Sequence, residues 1–95
     1  MPRKVEVPKL ISEKIGKFGL SRSVTVALLS RIHTDFVSHG SEFRPNRISS
    51  DESLFLYQTI VLEGVIRHLF SLAVDDSTSP DHFILVDIHH RVMEG

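Results

Sequence analysis

Arg67, Asp87, His89 and Arg91 are the residues of this chain whose types and spacing lend themselves most directly to chemistry. The first stands in one strand-like segment and the other three alternate along the next. A guanidinium grips phosphate through two parallel hydrogen bonds, an imidazole exchanges a proton near neutral pH, and a carboxylate orients an imidazole or anchors an arginine. If the two segments pair as a hairpin, alternation brings all four residues to one side of a sheet, a set suited to a phosphate ester. The plainer reading of the same residues is cross-strand polar pairing on a solvated face. His90 alternates away from His89, so the adjacent pair does not converge on a metal ion. His68 belongs to an apolar set and reads as a core histidine with its hydrogen bonds satisfied. His82, His89 and His90 with Asp81 or Asp87 match no spaced zinc motif, and no Gly-x-Ser-x-Gly elbow surrounds any serine. Neither a metal nor a cofactor is expected.

The elements that must position these residues follow from periodicity. Lys4 to Val7 alternates polar and apolar and can form a short strand, with Pro8 limiting it. Leu10, Ile11, Ile15 and Phe18 recur at helical spacing over 8–18, and Gly19 supplies a stop. Ser21 or Ser23 can cap a second helix in which Val24, Leu28, Ile32 and Phe36 follow at four-residue intervals, ending near His39 and Gly40. The short connection predicts an antiparallel helical hairpin. Residues 40–53 are polar and turn-rich, a long loop with Arg44 and Arg47 at its centre. Strand-like segments then run over 54–62, 65–74 and 83–91, joined by Glu63-Gly64 and by an acidic turn over 75–81. Alternation assigns Ile66, His68, Phe70, Leu72 and Val74, with Ile84, Val86 and Ile88, to the face packed on the helices. The opposite face receives Val65, Arg67, Leu69, Ser71 and Ala73, with Phe83, Leu85, Asp87, His89 and Arg91. The expected fold class is α+β: a helical hairpin on a three- to four-stranded antiparallel sheet, in a single domain spanning 1–95.

Composition agrees with that picture. Apolar residues make up 41% of the chain and charged residues 24%, which is a folding composition and not a disordered one. With no cysteine, disulfides, thiolate metal sites and Cys nucleophiles are excluded. No uninterrupted apolar stretch reaches membrane-spanning length, so no membrane is expected and the cytoplasm is the default location. Charge is segregated: residues 1–47 carry nine Lys/Arg and four Asp/Glu, net +5, while residues 48–95 carry two and eight, net −6. Phosphate attraction therefore favours the N-terminal half.

The order β-α-α-β-β-β resembles the RelE/ParE toxin superfamily, and two segments carry the likeness in detail. Residues 67–76, Arg-His-Leu-Phe-Ser-Leu-Ala-Val-Asp-Asp, look like that family's arginine-bearing strand entering an acidic turn. Residues 83–91, Phe-Ile-Leu-Val-Asp-Ile-His-His-Arg, look like its last strand. The resemblance implies a toxin-type domain, either a metal-independent ribonuclease that inhibits translation or an inactive relative. It implies Arg67 and Arg91 as phosphate ligands, His89 or His90 as acid/base with Asp87 beside them, and Arg44 and Arg47 as auxiliary RNA contacts. The partners it implies are a small antitoxin protein and RNA or the ribosome. The acidic sheet half departs from the basic one usual in RNA-cutting members. The competing expectation is a non-catalytic protein-interaction module, or a homo-oligomer, using Val65, Leu69, Phe83 and Leu85 on the sheet face away from the helices.

Overall fold

The computed structural model describes residues 4–39, 54–79 and 82–93. Their order is β1 (Lys4–Glu6), α1 (Lys9–Lys17), α2 (Arg22–His39), β2 (Leu54–Glu63), β3 (Ile66–Ser79) and β4 (His82–Met93). Arg44 and Arg47, with the loop expected to hold them, lie outside the described residues.

Local chemistry fixes the helix ends. The carbonyl of Pro8, extended at ψ 156°, accepts the first helical hydrogen bonds of α1 from Ile11 (3.0 Å) and Ser12 (3.1 Å). Gly19, at φ +70°, ends that helix in a conformation that costs a residue without Cβ nothing. Ser21 caps α2: its Oγ accepts from the Val24 amide at 3.3 Å. The four-residue repeat of Val24, Leu28, Ile32 and Phe36 then makes one buried stripe, which joins Ile11 and Ile15 of α1 over the sheet.

The sheet runs β1-β4-β3-β2. Its three long strands are antiparallel, as expected, whereas β1 lies parallel to β4, pairing Lys4 with His82 and Glu6 with Ile84. A parallel neighbour cannot follow through a tight turn, and here α1, α2, β2 and β3 all intervene between β1 and β4. Gly64 and Val65 alone connect β2 to β3; a glycine at positive φ (+61°) followed by an ordinary residue is the pattern of a II′ turn. The acidic segment is not a turn throughout: β3 continues to Ser79, which pairs with His82.

The core is a single layer between helices and sheet. Phe36 of α2 stacks on Phe83 at 5.1 Å between centroids and meets Tyr57 edge-on at 4.7 Å, an arrangement that adds to the area its rings bury. Tyr57 also donates a short hydrogen bond to Asp35, tying β2 to α2; burial, reinforced by that bond, pushes its hydroxyl pKa up.

One alternation rule fails in β4. Ala73 faces Asp87 while Val74 faces Leu85, so Val86 is an extra residue and the strand carries a β-bulge there. Phe83 and Leu85 are therefore buried, whereas Ile84 and Val86, both expected inside, fall out of the packed row: Ile84 is only partly buried and Val86 is 48% exposed. From Ile88 onward the expected facing holds. Phe83 and Leu85 consequently leave the interaction surface that the sequence suggested.

Candidate functional site

The strand register composes the sheet face turned away from the helices, rung by rung. Leu56, Ala73 and Asp87 form one rung, Gln58, Ser71 and His89 the next, then Ile60, Leu69 and Arg91, and last Leu62, Arg67 and Met93. Arg67 and Arg91 are diagonal neighbours, about 7–8 Å apart by sheet geometry, and His89 follows Arg91 on the same strand. Arg67, His89 and Arg91 are exposed on this side. A shallow groove of about 330 Å³ runs along it, bordered by Gln58, Leu69, Ser71, His89, His90 and Arg91. Gln58 donates to Ser71 Oγ at 3.0 Å, which orders the floor beside His89.

Asp87 follows the bulge in the same outward row as His89, and both of its carboxylate oxygens have neighbours. Oδ1 accepts from Lys14 Nζ of α1 at 2.6 Å and from the Ile88 amide at 2.8 Å, while Oδ2 lies 3.2 Å from His89 Nε2. The Lys14 bond, helped by the Ile88 amide, holds the Asp87 pKa below its usual range. Among the described residues β1 pairs with residues 82–84 alone, which leaves the β4 edge beside Asp87 open to that contact. Lys14 is 73 residues away in sequence, and no local signal announces it.

The ring of His90 does not join this group. It projects to the helix side, where it lies 5.0 Å from Phe70, 5.1 Å from His68 and 5.3 Å from Phe18. A chain of polar bonds runs through it: Ser21 Oγ donates to Glu63 Oε2 (2.7 Å), Glu63 Oε1 meets His68 Nε2 (3.1 Å), and His68 Nδ1 meets His90 Nε2 (2.9 Å). His68 is thus the satisfied core histidine that its apolar neighbours suggested, only 7% exposed. The order of this chain excludes two chemistries. The carboxylate, not an imidazole, receives the serine proton, so Ser21 is not activated as a nucleophile. His68 also spends its two ring nitrogens on different partners, so Glu63 and His90 do not converge with it on one ion. Burial, with the neighbouring His68 charge, lowers the His90 pKa, and Glu63 is lowered by its bonds from Ser21 and His68.

Among the described residues no helix is long and apolar enough to cross a membrane, and no group of three His, Asp or Glu side chains is arranged to hold a metal ion. No protein-family model matches the chain, and neither do the curated proteins or the solved structures compared with it.

Proposed function

We propose that this chain is a RelE/ParE-like toxin-type domain that takes the RNA backbone on its open sheet face and inhibits translation by cutting mRNA. The observation that carries the proposal is the register that gathers Arg67, His89 and Arg91 on the side opposite the helices. In this reading Arg67 and Arg91 grip the scissile phosphate and offset the charge that builds on its oxygens. His89 accepts the proton of the ribose 2′-hydroxyl as that oxygen bonds to phosphorus. The P–O5′ bond breaks, the departing oxygen takes a proton from solvent, and a 2′,3′-cyclic phosphate and a 5′-hydroxyl result. The acidity of the C-terminal half is less adverse than its total suggests, because Asp87 is paired with Lys14 and Glu63 is bonded to Ser21 and His68 on the helix side.

The test is translation in a purified ribosome system with and without the protein, reading both peptide synthesis and mRNA ends. Cleavage that falls by roughly a hundredfold in Arg67→Ala with Arg91→Ala fits this mechanism; intact mRNA with the unaltered protein ends it.

A second reading rests on a different observation. At the β2–β3 hairpin end Leu62 is 67% exposed, Val65 92%, Ile66 41% and Val92 50%, an apolar tip that a protein partner would cover. Undiminished translation, together with a partner lost in Leu62→Asp with Val65→Asp, would favour this interaction module.

A further inference from the structure

Among the described residues β2 is an edge strand, paired only with β3 and without a register shift along its length. Exposed edges are ordinarily blunted by a lysine, a proline or a bulge within the strand. From Leu54 to Leu62 this one holds no charge and no proline, and its outward residues Ile60 and Leu62 are exposed. Such an edge accepts another strand.

The side chains of β2 match a second copy of themselves. Opposed side chains in an antiparallel pair share a face, so a twofold axis relating two copies must pass through a residue position and not between two. With the axis at Gln58, Leu54 meets the partner's Leu62 and Leu56 meets the partner's Ile60 on the open face. On the packed face Phe55 meets the partner's Val61, and Tyr57 meets the partner's Thr59, an aromatic residue against a β-branched one. Moving the axis to Thr59 would instead set Glu63 against the partner's Phe55. Charge on α2 selects the same axis. Arg31, which is exposed, borders a hollow of about 420 Å³ with Gln58, Thr59, Ile60 and Leu69. One helical turn further on, Asp35 accepts the hydrogen bond of Tyr57. Since Tyr57 stands opposite the partner's Thr59, the axis brings Asp35 to the side of the partner's Arg31, and symmetry makes that contact twice.

We propose that two copies of this chain join along β2 about a twofold axis at Gln58. The four strands of each copy then form one continuous eight-stranded sheet with both helix layers on the same side. The pairing does not depend on the ribonuclease reading, because it uses none of Arg67, His89 and Arg91.

Sedimentation of the complete chain over a concentration series tests it, with urea unfolding to show that each variant is folded. The unaltered protein should pass from the mass of one copy to that of two. Leu56→Lys with Ile60→Lys sets like charges on facing positions and should abolish the dimer. Arg31→Glu and Asp35→Lys should each weaken association about tenfold, and an equal mixture of the two should recover it, since every cross-contact then joins opposite charges. A one-copy mass at every concentration up to about 1 mM overturns the proposal. So does a dimer that withstands Leu56→Lys with Ile60→Lys but is lost in Val65→Asp, which would place the contact at the hairpin tip. A mixture no tighter than either variant alone overturns the axis at Gln58. Where a variant fails to fold, amide exchange in the unaltered protein decides: amides on the outer side of β2 should slow as concentration rises, and exchange that ignores concentration overturns the pairing.

Discussion

His89 and His90 are chain neighbours separated by the thickness of a sheet, and their surroundings have little in common. The ring of His89 is open to solvent and touches one carboxylate, which a lysine from another layer secures. The ring of His90 lies against Phe18, His68 and Phe70, and its Nε2 is committed to His68. One side offers an imidazole to an incoming group; the other uses an imidazole to complete a wall. The lesson is that histidine identity decides nothing here, and strand facing decides nearly everything.

Substitutions can break that contrast, and the largest effect is expected on the packed side. Phe70 is fully buried against both inner rings, so Phe70→Ala should cost about 3–5 kcal/mol of stability. Its neighbour Leu69, facing outward, should cost far less as Leu69→Ala, and equal losses in urea unfolding would contradict the facing. Next, His68→Ala removes the partner of both Glu63 and His90 and should cost about 1–3 kcal/mol. His89→Ala, by contrast, should stay within about 0.5 kcal/mol. Ser21→Ala deletes the cap of α2 and the bond to Glu63 together, and a loss of about 1 kcal/mol is expected in the same assay.

The smallest effect is one of pH, and its direction follows from proton counting. The folded protein holds the His90 pKa below the ordinary 6.5, whereas the unfolded chain takes up that proton normally. Between those two values the unfolded state binds more protons, so stability rises with pH across the window and is lost as pH falls below 6.5. The carboxylates act later: the lowered pKa values of Glu63 and Asp87 give stability that is present above their ordinary 4.5 and 3.8 and is lost as pH drops through the lowered values. A urea midpoint that declines on acidification below 6.5 in the parent and flattens in His90→Phe would support this assignment. A decline unchanged in that variant would assign the proton elsewhere.

Much of this was legible in the residues. Val24, Leu28, Ile32 and Phe36 announce a helix stripe because a four-residue interval nearly matches the helical turn, and all four are buried. The facing of β3 follows from alternation alone. In β4 the rule slips at Val86, since apolar residues occupy every position from Phe83 to Val86 and no pattern marks which is extra. His89 and Arg91 escape the slip because they lie beyond the bulge, in phase with Ile88. The pairing of β1 with β4, the Lys14–Asp87 bridge and the chain from Ser21 to His90 were not legible. Each depends on how separate elements meet in space, which periodicity within an element does not report.

The placement of β4 between β1 and β3 has a consequence for how the molecule comes into being. Among the described residues the last strand is an interior one, and β1 must wait for it. During synthesis the helices and the β2–β3 hairpin can form, yet β1 has no edge to join until residues 82–84 leave the ribosome. Closure is therefore a late and non-local event of the kind that slows folding. It also means that the open face carrying His89 and Arg91 is assembled in the same step that completes the domain.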